Sequence, residues 1–248
     1  MTEQEHMTEQ AQTEQTFKAR KRIPRPTVLS RLTNLYPEPR YLEVGVANGS
    51  TFDRVKASRK VAVDPAFRFD HVAAQRDRPG TEYHPVTSDA YFQTVVGEDE
   101  QFDVIYLDGL HVFEQTLRDL MNALDHLQPQ GVIVIDDTRP PTHLASLPGR
   151  DDFFAVRDWL KTPDLRWMGD VFKVVWFIDT FCPGLSYSTI ANNHGQTVVW
   201  RKRRSEVTER TMAEIAGLTF EQLVLSEHVL RLAPFGKIRP QLRADLGL

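Results

Sequence analysis

Four short runs constrain the fold more than any other feature of the chain: YLEVGV (41–46), KVAVDP (60–65), FDVIYLD (102–108) and GVIVIDD (131–137). Their near-continuous Val, Ile and Leu content suits strands covered on both faces, as in a parallel sheet. A fifth run, TEYHPV (81–86), fits the same series, and helix-length stretches or loops separate all five. The order predicts an α/β fold with a doubly wound, mostly parallel Rossmann-like sheet, whose ligands gather at the carboxyl ends of the strands. Acids stand at or near those ends: Glu43, Asp64, Asp108, Asp136 and Asp137.

The clearest helix follows FDVIYLDGLH. Phe113, Leu117, Leu120, Leu124 and Leu127 form one apolar stripe, Pro129 and Gly131 end it, and its start is expected just before His111. LSYSTIAN (185–192) and QTVVWRKR (196–203) have no helix between them, so they predict an antiparallel edge hairpin and complete a seven-stranded sheet. MGDVFKVVWFIDTF (168–181) and TFEQLVLSEHVLRL (219–232) read as helices, and Val28, Leu29, Leu32 and Leu35 mark a short helix leading into the domain. Residues 1–22 repeat Thr-Glu-Gln with almost no apolar content and are expected to be a disordered tail. The expected organisation is this tail, a domain over 23–204, and a helical extension over 205–248.

Composition excludes several classes. A net charge of −4 gives no reason to expect nucleic acid, and the basic cluster Arg201, Lys202, Arg203 and Arg204 reads as a solvated strand end. Cys182 is the single cysteine, which rules out an internal disulfide framework and fits a reducing compartment. No apolar run approaches the ~18 residues of a membrane span, and no signal-peptide pattern opens the chain, so a cytoplasmic protein is expected.

Two corners point to a nucleotide-type ligand. After Glu43, Gly45 turns the chain, and Gly49-Ser50 opens the next segment, where a backbone without side chains admits a ligand. Asp64 closes the next strand about 20 residues after the glycines, where a carboxylate accepts ribose hydroxyls. A tight turn without a ligand remains the bland alternative. A dinucleotide fits less well, because position 47 is Ala and no Gly-x-Gly-x-x-Gly is present.

With these residues in place, Glu43-Val44-Gly45-Val46-Ala47-Asn48-Gly49 resembles the first motif of the class I S-adenosylmethionine-dependent methyltransferases, in its catechol-type form. The likeness spans about residues 28 to 203. It implies S-adenosylmethionine as cofactor, with Glu43, Gly45, Asn48, Gly49, Ser50, Asp64 and Asp108 around it. TSDAYF (87–92) is similar to the exit that faces the adenine, so Ser88 and Asp89 are lining candidates, Ser88 reading equally as a helix N-cap. FDVIYLDGLH with GVIVIDD is closer to the macrolide-sugar and cephalosporin-pathway O-methyltransferases.

That resemblance implies a Mg²⁺ ion, or another divalent cation, on Asp108, Asp136 and Asp137. Neighbouring strands ~4.8 Å apart allow such carboxylates to converge, and three converging acids need a cation. The alternative is that these acids only cap the segments after them. His111 stands where catechol-type enzymes carry a lysine base, and Asp108 and His111 are the catalytic candidates; a structural bond from His111 to a backbone carbonyl is the competing reading. Asp170 and Lys173 are second-tier candidates and His143 a weaker one, on an expected lid from Thr138 to Arg150. The expected function is Mg²⁺-dependent O-methylation of a small hydroxyl acceptor: a natural product, sugar or catechol-like ring. Neither nucleic acid nor membrane is an expected partner, and a homodimer is allowed for. Metal-independent or nitrogen-directed transfer, and a non-catalytic cofactor-binding domain, are the alternatives.

Overall fold

The computed structural model describes residues 22–248. The expected tail therefore lies outside the described residues, Arg22 excepted. Helix α1 (Arg25–Thr33) leads into β1 (Arg40–Val44), followed by β2 (Arg59–Val63), α2 (His71–Asp77), β3 (Thr81–His84) and β4 (Phe102–Leu107). Then come α3 (Phe113–Asp125), β5 (Leu127–Ile135), α4 (Arg150–Trp159), α5 (Lys173–Phe181), β6 (Leu185–Thr189) and β7 (Thr197–Arg201). Short α6 (Met212–Ala216) and α7 (Phe220–Leu225) precede α8 (Phe235–Leu246).

The seven strands form one sheet in the order β3-β2-β1-β4-β5-β7-β6. The first five are parallel, and β7 runs antiparallel to both β5 and β6, as the missing helix between the last two runs predicts. This is the Rossmann-like sheet expected from the sequence. Alternate residues face opposite layers, as strand geometry requires. Leu42, Val44, Ile105, Leu107, Ile133 and Ile135 pack with α3 and α5 on one face. Tyr41, Val104, Tyr106, Val132 and Val134 pack with α1 and α8 on the other.

The chain after residue 204 belongs to both layers. Ile215, Leu223, Val229 and Leu230 are buried on the first face, and Phe235, Ile238, Leu242 and Leu246 on the second. The crossing runs past the sheet edge, where Ala233 N–H donates to the Thr189 carbonyl and Ala191 N–H to the Ala233 carbonyl. The expected helix over 219–232 is broken, with α7 ending at Leu225 and a 3₁₀ turn over Glu227–Leu230. Helix α8 was not legible because Gly236 and Pro240 oppose helix on propensity alone; burial of its apolar face overrides them. Among the described residues, no helix is long and apolar enough to cross a membrane.

Arg204 corrects the solvated reading of the basic cluster. Arg201, Lys202 and Arg203 are exposed, but Arg204 is buried, donating to the carbonyls of Ile178, Asp179 and Leu185 and pairing with the Asp179 carboxylate at 3.0 Å. It thereby supplies a further donor to the carbonyls of Ile178 and Asp179 in the last turn of α5.

If residues 205–248 fold as part of the domain, Phe235→Ala, at a fully buried ring, lowers stability by roughly 3–5 kcal/mol in urea titrations. A cost under about 1 kcal/mol would mark the extension as a separately folding piece.

Candidate active site

The strand exits are pinned by hydrogen bonds that carry the ladder one residue further. Asp64 N–H donates to the His84 carbonyl, Asp108 N–H to the Val44 carbonyl at 2.8 Å, and Asp136 N–H to the Leu107 carbonyl at 3.0 Å. Gly45 is required by packing as well as conformation. Its φ is +86°, and a Cβ there would lie 1.8 Å from the Asp108 carbonyl oxygen, so the close approach it permits is first of all that of the β4 exit.

The glycine loop is built around Asp64. One carboxylate oxygen accepts from Val46 N–H and Ala47 N–H at 2.9 and 2.8 Å, and the other from Ala66 N–H at 2.7 Å. Asp64 thus holds the loop's shape, a task the ribose reading did not anticipate. Glu43 is fully buried, accepts from the Tyr41 hydroxyl at 2.5 Å, and has its pKa raised well above the carboxylate range, chiefly by burial. Asn48 and Ser50 are exposed, the Asn48 side chain accepting from Ser50 N–H, and Gly49 turns with φ +77°. Next to the loop, Gln115 Nε2 reaches Ser88, Asp89 and Asp119 at 3.2, 3.1 and 3.0 Å. The N-cap of the helical turn at Ser88 is Thr87, whose hydroxyl accepts from Ala90 N–H, which corrects the capping role considered for Ser88.

The second cluster lies at the β4 and β5 exits. Asp108, His111 and Asp137 each offer one ligand atom, all within 4.8 Å of one another. His111 Nε2 is 3.4 Å from Asp108 Oδ1 and 3.2 Å from Asp137 Oδ2. Its Nδ1 lies 3.1 Å from the Trp167 carbonyl, which only accepts, so the proton sits on Nδ1 and Nε2 faces the acids. The ring also stacks on Trp167 at 5.1 Å. His111 is not on the helix as expected: α3 begins at Phe113, and His111 occupies the preceding turn at φ 59°. The reason is tertiary, since Asp170 Oδ1 caps the helix by accepting from Phe113 N–H at 2.8 Å, and Gly169 packs against the His111 carbonyl. Ala47 and Asp137 share this left-handed backbone, at φ 48° and 58°. Three non-glycine residues held in a costly region at three neighbouring strand exits point to a functional constraint there.

Asp136 does not join the cluster. Its Oδ2 accepts from the Tyr106 hydroxyl at 2.7 Å and lies 2.5 Å from Arg25 Nε. Burial, then the charges of Asp137 and Asp108, push its pKa well up. Arg25 Nη2 also lies 3.3 Å from Asp137 Oδ1, as does His194 Nε2. Asp170 and Lys173 pair with each other at 2.9 Å, Lys173 also reaching the Ala216 carbonyl, so neither is free to face a substrate. His143 is exposed beside the Phe220 ring, and the expected lid is partly packed, with Thr138, Leu144, Ala145 and Ser146 buried.

Comparison with known proteins meets this geometry at the glycine loop and the two clusters. Residues 42–138, which run from β1 through both clusters, match the family model described as a methyltransferase domain. Over these residues the chain is similar to a methyltransferase domain. Among solved structures it resembles an O-methyltransferase from Bacillus cereus in complex with SAH, with TM-score 0.51 and 15% identity over 79% of this chain and 90% of that one. Also similar are the O-methyltransferase TomG from Streptomyces achromogenes (TM-score 0.48, 16% identity, 72% and 80% covered) and the N-methyltransferase NodS from Bradyrhizobium japonicum (0.42, 16%, 73% and 95%). At these identities the likeness is one of fold. No curated protein sequence matches the chain.

The second cluster draws on residues that sequence reasoning missed. Arg25 and His194 reach Asp137 from 112 and 57 positions away in sequence, the first separation being that of the Arg25–Asp137 contact. Nothing local marks them. Gln115 was detectable in principle, since it sits two residues into α3 at the polar edge of the apolar stripe.

His111 carries a pH dependence. Burial alone would favour the neutral ring, but the carboxylates of Asp108 and Asp137 outweigh it and raise its pKa to about 9. A raised histidine pKa stabilises the fold fully below the unfolded value of ~6.5 and loses that contribution as pH climbs through the folded value. In protein treated with EDTA, the melting temperature therefore falls between about pH 6.5 and pH 9, and His111→Gln flattens that slope. A wild-type slope unchanged by the substitution would locate the titrating group elsewhere.

Proposed function

We propose that the chain transfers a methyl group from S-adenosylmethionine to a hydroxyl of a small molecule, with a divalent cation, Mg²⁺ by preference, held by Asp108, His111 and Asp137. The observation that carries the cation is the convergence of three ligand atoms within 4.8 Å on two adjacent strand exits. The donor set fits: two hard carboxylates, and an imidazole whose other nitrogen is fixed on the Trp167 carbonyl, the arrangement that orients a ligating histidine. Asp136, first expected as a ligand, is assigned instead to holding Arg25 and Tyr106.

S-adenosylmethionine supplies an electrophilic methyl on a sulfonium, and transfer is an in-line displacement that needs alignment above all. The cation supplies positive charge that acidifies the acceptor hydroxyl. The loop from Gly45 to Ser50, shaped by Asp64, receives the adenosine end, and Ser88 and Asp89, tied by Gln115, line the adenine side. Asp108 touches both regions, its carbonyl against Gly45 and its carboxylate in the second cluster, and so sets their separation. With Nδ1 committed, His111 has one free nitrogen, which either ligates the cation or takes the hydroxyl proton; its place between Asp108 and Asp137 favours ligation. A cation-free reading has one observation in its favour: a protonated His111 between the two acids, with Arg25 beside them, already offsets much of their charge. The protein is further proposed to be cytoplasmic, with residues 23–248 as one folding unit.

Two outcomes test the reading. S-adenosylhomocysteine raises the melting temperature of the wild type by mass action while NAD does not, and Asp64→Ala abolishes the response. Stabilisation by NAD alone would sink the cofactor assignment. For the cation, His111→Ala and Asp137→Ala each weaken Mn²⁺ binding, measured by calorimetry, by ~10²-fold, and Mg²⁺ restores turnover lost in EDTA. If His111→Ala keeps Mn²⁺ affinity but loses ~10²–10⁴-fold in kcat, His111 is the base rather than a ligand.

A further inference from the structure

Arg22, Ile23, Pro24, Arg25 and His194 line a cleft of about 390 Å³. The strand order places it on the acceptor side. The glycine loop stands over β1, the second cluster over β4 and β5, and His194 lies in the turn between β6 and β7, beyond the cluster and away from the cofactor loop. The start of α1 supplies the opposite wall, because Ile23 N–H donates to the Asn192 carbonyl of the same turn.

The charges around this cleft can be assigned from hydrogen-bond chemistry. A guanidinium donates and never accepts, so Arg22 Nη2, 3.0 Å from His194 Nδ1, makes that nitrogen the acceptor. His194 Nε2 in turn lies 3.3 Å from Asp137 Oδ1, so the imidazole bridges Arg22 and that carboxylate. Arg25 is committed to Asp136 and Asp137. Arg22 is exposed, and among the described residues it has no carboxylate partner; its polar contact there is the His194 imidazole. Among the described residues, one positive charge without a carboxylate partner therefore faces the cleft, separated from Asp137 by the width of one imidazole and two hydrogen bonds.

We propose that this cleft is a carboxylate subsite for the methyl acceptor, which is accordingly a hydroxy acid whose anionic group lies about one ring away from the reacting hydroxyl. The inference rests on the methyltransferase reading and adds to it the chemical class of the acceptor. A single surplus guanidinium matches a monoanion in charge, and its planar fork matches a carboxylate in shape. The carboxylate would meet Arg22 on the side away from the acids, with the His194 ring between them, while the hydroxyl end reaches Asp108, His111 and Asp137. Ile23 and Pro24 give the ring an apolar wall.

The test compares two probes that differ only in the carboxylate. The wild-type protein, saturated with S-adenosylhomocysteine and Mg²⁺, is titrated calorimetrically with 3,4-dihydroxybenzoate and with catechol. The acid is expected to bind at least ~10-fold more tightly, the size of one charge-assisted pair. Arg22→Gln brings the affinity for the acid down to that for catechol measured on the same variant, while Arg22→Lys retains part of the advantage. Equal or weaker binding of the acid, no binding of the acid, or an advantage that survives Arg22→Gln overturns the proposal. Failure of the underlying reading is separate: it would appear beforehand, as absence of S-adenosylhomocysteine binding to the wild type.

Discussion

The contact between Gly45 and Asp108 governs the rest of the site. Strands β1 and β4 are neighbours in the sheet, and where they end the Asp108 N–H bonds the Val44 carbonyl while the Asp108 carbonyl lies against the Gly45 Cα. Any side chain at position 45 would drive these exits apart. The same junction carries the glycine loop on one strand and an acid of the second cluster on the other. In the proposed methyl transfer, whose principal demand is alignment of donor and acceptor, backbone packing would set the distance between the two regions.

Charge is the second constraint. Asp108, Asp136 and Asp137 crowd two adjacent exits, and their mutual repulsion has to be offset. The structure divides the task. Asp136 turns to Arg25 and the Tyr106 hydroxyl, and Asp108 and Asp137 close on His111. Arg25 remains charged although burial opposes it, because Asp136, Tyr106, Asp108 and Asp137 favour its charged form. Removing one partner from such a group costs more than the pair contributes, since the remaining charge is left buried. The segment from Trp167 to Asp170 then fixes His111 in its left-handed turn, through the Trp167 carbonyl and ring, the close approach of Gly169, and the cap that Asp170 places on α3.

The edge hairpin and the chain after residue 204 complete the molecule beyond the second cluster. The β6–β7 turn brings His194 to Asp137, and the crossing at Ala233 ties α7 and α8 to opposite faces of one sheet. Arg204, buried against the end of α5, anchors this arrangement by bonding the backbone carbonyls of Ile178, Asp179, Cys182, Leu185 and Glu206 and the Asp179 carboxylate.

The sheet, its parallel core, its antiparallel edge and the positions of the strand-end acids were legible in the sequence, because each depends on apolar runs and glycines within a few residues of one another. YLEVGVANG located the loop, and DGLH with IDD located the second cluster. Tertiary structure alone decided which acid joins which partner. Of Asp136 and Asp137 only the second meets His111, while the first is held by Arg25 and Tyr106, residues distant in sequence. The same holds for the start of α3, where the cap comes from Asp170, and for α8, whose buried face outweighs its glycine and proline. Local patterns set where the strands end; long-range pairing of buried charges set what each strand end can do.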